Sequence, residues 1–281
     1  MLREMDDDSR WDEADELYRR GNYQEAISLY DQAIERYPGI AELWNNRGLA
    51  LCHLCRHEEA IDSFQRALVI DPQYMDARNN IGVVLYRQKK YDRAVAIFDG
   101  IIQSNQSYVR AWYNKGVVLD GLGNYREAIF YYDRTLELNP QGARVWSNRG
   151  AALGNLGDYD GALDSFDRAA ALQPENAEIW NNKGAALARL HRYEEALSHF
   201  SRALQIDPGY ADAQVNRGEA LRRLNRYEDA LQDLDRALQI DSENAKAWNS
   251  LGLLLKAQGK EKEADAALAR GAELMACRER I

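Results

Sequence analysis

Apolar residues recur in this chain at helical spacing, in blocks that break at regular intervals. In the stretch AELWNNRGLALCHLCRHEEAIDSFQRALVIDP, residues 41–72, Trp44, Gly48 and Leu51 stand at i, i+4 and i+7, one face of a helix. Ala60, Phe64 and Ala67 repeat that spacing after a short polar break, as one face of a second helix. The pattern predicts two helices joined by a tight turn. The closing Asp-Pro stops the second helix, because proline has no N–H to continue its hydrogen bonds.

The same pattern returns every 34 residues from end to end, in blocks 7–40, 41–74, 75–108, 109–142, 143–176, 177–210, 211–244 and 245–278, with no insertion. Position 11 of each block is Leu, from Leu17 and Leu51 through Leu255, and position 20 is Ala, from Ala26 and Ala60 through Ala264. Position 8 is Gly from Gly48 to Gly252, with Ala14 in the first block. Position 4 is Trp in five blocks (Trp44, Trp112, Trp146, Trp180, Trp248), and all five prolines fall at position 32. Gly at position 15 (Gly21, Gly123, Gly157, Gly259) suits a left-handed helix C-cap between the two helices. Gly at 8 opposite Ala at 20 lets two backbones approach, with Trp at 4 and an aromatic at 24 filling the space beside them. A helix pair this small cannot bury its apolar face alone, so neighbours must stack.

This unit resembles the tetratricopeptide repeat, with its Trp at 4, Gly at 8, Ala at 20, aromatic at 24 and Pro at 32. The sequence departs from that pattern at position 11, where Leu replaces Tyr, and at position 7, where Arg47, Lys115, Arg149, Lys183 and Arg217 are basic. The resemblance implies an all-α, right-handed superhelical solenoid of antiparallel helix pairs. Residues 7–278 would form a single solenoid of eight units between tails 1–6 and 279–281, its first helices lining a concave groove.

Charge narrows the partners. A net charge of −9 and a pI near 5.1 oppose general affinity for nucleic acid or anionic membrane. Three cysteines make no disulfide framework, the acidic N-terminus lacks a signal-peptide core, and no apolar run approaches the roughly 20 residues that span a bilayer. The chain is expected to be cytoplasmic. Cys52, His53, Cys55 and His57 have the spacing from which zinc sites are built, but they occupy positions 12, 13, 15 and 17, whose side chains diverge on this helix pair. No metal and no cofactor is expected. No phosphate-binding loop, dinucleotide fingerprint, zinc-protease or nucleophile-elbow motif occurs, and the carboxylates sit at solvated positions, so no enzyme is expected.

The informative column is position 6, which reads Asn46, Asn80, Asn114, Asn148, Asn182 and Asn216 before Ser250. Asparagine is a poor helix former, and six in succession ask for a reason. An amide can pair bidentately with a peptide bond, and the resemblance implies that job: reading the main chain of an extended peptide. The alternative is that these amides cap or bridge neighbouring helices. Position 9 is apolar or small (Leu49, Val83, Val117, Ala151, Ala185, Leu253) except at Glu219. Arg110 and Arg144 at position 2, with Arg87, Arg189 and Arg223 at position 13, place basic spots in the groove. They favour an extended protein or peptide ligand with some acidic side chains. The carboxylate clamp for chaperone tails is absent, since position 9 is never Asn and position 6 never Arg.

The expected function is therefore a non-catalytic scaffold or adaptor. The competing reading is an assembly module that docks folded partners by its convex face or C-terminal end. Leu268, Leu274 and Met275 have no successor repeat to cover them, so that end either stays wet or pairs in a weak homodimer. Pairing of the position 7 cations with acids at position 25 (Asp31, Asp99, Asp133, Asp167, Asp235) is left open by the sequence.

Overall fold

The structure is a computed structural model that describes residues 5–278 and, for side chains, residues 11–277. The tail assigned to 279–281 and the first four residues of the tail assigned to 1–6 lie outside the described residues. The chain divides into two compact units, residues 1–138 and 139–281. The first holds α1 (Met5–Arg19), α2 (Tyr23–Arg36), α3 (Ala41–His53), α4 (His57–Ile70), α5 (Met75–Arg87), α6 (Tyr91–Ser104), α7 (Val109–Gly121) and α8 (Tyr125–Leu138). The second holds α9 (Ala143–Leu156), α10 (Tyr159–Leu172), α11 (Ala177–Arg189), α12 (Tyr193–Ile206), α13 (Ala211–Arg223), α14 (Tyr227–Ile240), α15 (Ala245–Ala257) and α16 (Glu261–Arg278). No strand occurs among the described residues. Each unit is a solenoid of four helix pairs. Odd-numbered helices pack on the even helix that follows and also touch the odd helices of neighbouring repeats, so they line the inner face of each unit.

Every turn inside a pair is built alike. Position 15 takes a positive φ in all eight repeats, at Gly21, Gly123, Gly157 and Gly259 and also at Cys55, Lys89, His191 and Asn225. The N–H of position 16 returns to the carbonyl of the position 11 leucine, as from Arg56 to Leu51 and from Arg192 to Leu187, both 3.0 Å. Position 15 bonds to position 12, as from Cys55 to Cys52 at 3.2 Å. These are the two bonds of a Schellman motif. Cys55 is thus a turn residue, and a side chain in the left-handed region costs about 1 kcal/mol that glycine avoids. Lys89→Gly and Cys55→Gly are each expected to raise stability by up to about 1 kcal/mol. Urea melts that show a loss instead would mean that these side chains stabilise the turn by contacts that outweigh the strain.

The turns between pairs follow from position 31. Asp71, Asp207 and Asp241, with Asn105 and Asn139, accept the N–H two residues on, at 2.9 to 3.2 Å, an Asx turn that ends the helix. The indole N–H of Trp44, Trp112, Trp146, Trp180 and Trp248 then donates to the carbonyl at position 32 of the preceding repeat, and Arg78 makes the same bond to Pro72 at 2.8 Å. One side chain therefore fixes where each pair starts on the last.

The core confirms the expected faces and corrects one detail. All eight position 20 alanines have no exposed surface, and the position 24 rings Tyr30, Phe64, Phe98, Tyr132, Phe166 and Phe200 are buried. The rings do not lie beside the glycines of position 8 but directly on them: a Cβ on Gly184 would stand 2.6 Å from the Phe200 ring.

The C-terminal repeat also differs from expectation. Leu274 is buried and Leu268 lies against Gly252, so of the three apolar residues only Met275 is exposed.

Candidate functional site: the inner face of each unit

The position 6 amides stand half-buried on the inner helices, and most are tied to the repeat before them. In the first unit Asn80 donates to Asn45 at 2.9 Å and Asn114 to Asn79 at 2.8 Å. Asn45 donates in turn to Asn46 at 3.2 Å, and Asn46 reaches Asp15 at 3.3 Å. In the second unit Asn216 donates to Asn181 at 2.9 Å, and Asn181 to Asn182 at 3.4 Å. Asn148 is half-buried.

The acceptors Asn45, Asn79 and Asn181 are the residues that sequence reasoning missed. They sit at position 5, are 3 to 5% exposed, and a buried amide must be satisfied inside the fold. The signal was available as the Asn-Asn dipeptide at 45–46, 79–80 and 181–182. The ladder thus has an architectural share: one N–H of Asn80, Asn114 and Asn216 holds the neighbouring repeat. The second N–H and the carbonyl oxygen of these three make no hydrogen bond within the described chain, so half of each amide faces the groove unspent.

In the second unit, Asn182 lines a cleft of about 390 Å³ with Ala151, Gly154, Tyr159 and Arg189, above the Phe166 ring. Asn216 lines a second, of about 510 Å³, with Ala185, Arg189, Glu219 and Arg223, above Phe200. In the first unit Asn46 borders a cleft of about 200 Å³ with Leu49 and Tyr18. The two arginines of position 2 differ. Arg110 donates to Asp76 at 2.9 Å, a neighbour that also receives the Tyr108 hydroxyl at 2.5 Å. Arg144 is exposed, and no ion pair involves it among the described residues.

The position 7 cations do not reach the groove. Arg47 meets Asp31 at 2.5 Å, Lys115 meets Asp99 at 2.5 Å, and Lys183 meets Asp167, each acid being at position 25 of the preceding repeat. Where position 25 becomes Ser201, Arg217 turns to Asp233 of its own repeat with two bonds at 2.6 and 2.7 Å. The Asp233 hydrogen bonds raise the Arg217 guanidinium above its ordinary value against the burial that opposes them. Arg47, Lys115 and Lys183 thus tie one repeat to the next by charge, and Arg217 does so only through its 3.3 Å bond to the Ser201 hydroxyl.

The Cys52–His57 group separates as its positions predict. Cys52 is buried, which pushes its thiol up to about 11, while Cys55 is exposed on its turn. His53 stacks on Tyr23 at 4.2 Å and pairs with the Tyr18 hydroxyl at 3.1 Å. Among the described residues no three His, Cys, Asp or Glu side chains gather as a metal ion would require.

A solenoid of helix pairs with a polar ladder on its inner face is the architecture of a protein–protein interaction scaffold, in which stacked repeats present one extended surface. The chain belongs to the tetratricopeptide repeat family. Family models described as tetratricopeptide repeat match residues 12–75, 147–211, 56–114, 109–141 and 245–274, and one described as TPR repeat matches 218–259. No curated protein matches the chain.

Among solved structures it is similar to YrrB, a TPR protein with an unusual peptide-binding site, at 27% identity and TM-score 0.56 over 66% of this chain and 96% of that one. A tetratricopeptide repeat protein from Parabacteroides merdae is similar at 16% identity and TM-score 0.68, over 83% of this chain and 93% of that one. The APC/C hetero-tetramer Cut9–Hcn1 is similar at 17% identity and TM-score 0.69, over 93% of this chain and 52% of that one. The last two share the fold alone. Proteins of this family bind peptides or other proteins and are typically non-catalytic. No helix among the described residues is long and apolar enough to cross a membrane.

Proposed function

We propose that this chain is a non-catalytic scaffold that holds an extended peptide along the inner faces of its repeats, through its position 6 amides. The observation that carries this reading is the placement of Asn182 and Asn216 on the rims of two open clefts, each amide with groups to offer. A backbone peptide unit has one donor and one acceptor, which such an amide matches. The likeness to YrrB, itself named for a peptide-binding site, supports it. Asn46, Asn80 and Asn114, with Arg110, offer such a surface in the first unit, and Asn148 and Arg144 belong to that of the second. The chain is also proposed to act in the cytoplasm without nucleic acid.

The test selects short random peptides displayed on phage against the whole chain, then measures the best binder by fluorescence polarisation. Asn216→Ala is expected to weaken binding by about 1 to 3 kcal/mol, the cost of leaving a desolvated peptide group unpaired. The Asn80→Ala substitution controls for the shared architectural bond. Binders that ignore Asn216→Ala would move the site to the outer face, where Phe130 is 54% exposed, and would favour the assembly-module reading.

A further inference from the structure

The inner face of the second unit combines two features: an open floor, which the first unit lacks, and positive charge beside it. In repeats 143–176 and 177–210, positions 8, 9 and 12 are Gly150, Ala151 and Gly154, then Gly184, Ala185 and Ala188. With so little side chain there, the surface drops to the rings of Phe166 and Phe200 and opens the two clefts described above, which share Tyr159, Ala185 and Arg189 as a common wall. In the first unit the same positions carry Leu49, Val83 and Val117 at 9, and Tyr18 and Tyr86 at 12. The Tyr86 hydroxyl lies 3.2 Å from where a Cβ on Gly121 would be. Bulky side chains occupy there the space that the second unit leaves open.

The charge at the open clefts runs against that of the whole chain. Arg189, Arg222 and Arg223 face one carboxylate, Glu219, which Arg222 meets at 2.5 Å and Arg223 at 3.1 Å. Burial pushes the Glu219 carboxyl up, but the hydrogen bonds and charges of the two arginines outweigh it and hold it below its ordinary value, so it stays charged. Of the charged side chains that line the two clefts, two are cations, Arg189 and Arg223, and one an anion, Glu219, a local charge of +1 in a protein of −9. Arg189 is exposed, takes part in no ion pair among the described residues, and stands on the wall that the two clefts share. A guanidinium so placed is a fork for a carboxylate.

We propose that the second unit binds an acidic peptide: one acid pairs with Arg189, a second with Arg223, and an apolar side chain between them enters the cleft over Phe166 or Phe200. This rests on the peptide-groove reading and gives it a ligand chemistry. The spacing follows from the scaffold. Arg189 and Arg223 occupy the same position on α11 and α13, inner helices that touch, and touching helices lie about 8 to 10 Å apart. An extended polyproline II chain rises about 3.1 Å per residue with three residues per turn, so two acids on one side stand about three residues apart.

The experiment uses the whole chain and the peptides selected above. Selected sequences are expected to carry Asp or Glu pairs about three residues apart with an apolar residue between. Affinity should fall as salt rises. Arg189→Glu is expected to weaken the best binder at least tenfold while the circular dichroism melt is unchanged, and to bind better than wild type a synthetic version with the acids changed to Lys. Ala185→Trp, which fills the shared wall, should weaken both versions. The proposal is overturned if selected peptides show no excess of acids, or if Arg189→Glu changes affinity less than twofold. If Asn216→Ala still weakens such binders, the groove reading stands and only the acidic specificity falls. If Asn216→Ala is silent as well, or no peptide is selected, both readings fall.

Discussion

Arg217→Met destabilises the second unit by about 3 kcal/mol, whereas Lys183→Met costs under about 1 kcal/mol. Both substitutions remove a position 7 cation and keep an apolar stem of similar reach. They differ in what is left behind. The Asp233 side chain is 4% exposed and receives both forked N–H groups of Arg217, so without the guanidinium a carboxylate remains buried with no cation. Asp167, the partner of Lys183, is 56% exposed and turns to water at little cost. Urea denaturation followed by circular dichroism reads the difference, and hydrogen exchange of the α14 amides localises it, since repeats unfold as partly separate elements. Asp233→Leu added to Arg217→Met is expected to restore most of the loss, because an apolar pair of matching volume needs no partner. Equal costs for Arg217→Met and Lys183→Met would show that the burial of Asp233 is not what makes its pair matter.

The repeat, its helix pairs and its core columns were legible in the sequence because each is a local pattern multiplied eight times. A glycine column at 8 and a leucine column at 11 can be read without knowing where the chain goes next. Bonds between repeats were less legible, since no single unit contains both ends of them. That Asn80 leans on Asn45, or that Arg217 pairs with its own Asp233 beside the bond it gives Ser201 at position 25, depends on how one pair is set against another. The Arg217 exception could still have been found: position 25 of the preceding repeat is Ser201, which carries no charge to meet it. The turn residues were half legible. Gly at position 15 announced a left-handed cap, but Cys55 and Lys89 hold the same φ because the fold around them compels it. The candidate site was visible as a ladder of asparagines. Its division between architecture and groove was not, since one amide serves both and only geometry shows which of its groups are spent.

Gly184→Ala is expected to cost about 2 kcal/mol and Gly218→Ala about nothing, although the two glycines hold the same position in adjacent repeats. A Cβ on Gly184 would stand 2.6, 2.8 and 3.0 Å from three carbons of the Phe200 ring. That ring is 1% exposed and has little room to turn, and forcing a methyl into a filled core costs about 1 to 3 kcal/mol. At Gly218 the nearest atom is Leu234 Cγ at 3.1 Å, on a branched side chain that yields by a few tenths of an ångström. Alanine there regains up to about 1 kcal/mol of helix propensity, enough to offset the contact. Leucine at position 24 does not by itself open the space, since Leu268 would stand 2.6 Å from a Cβ on Gly252, but a branched side chain can turn aside where a ring cannot. Phe200→Leu combined with Gly184→Ala therefore recovers part of the cost of Gly184→Ala, and the coupling is read from a double-mutant cycle of urea midpoints. Costs that simply add would mean that the ring does not press on the glycine, and that position 8 is glycine for its approach to the position 20 helix instead.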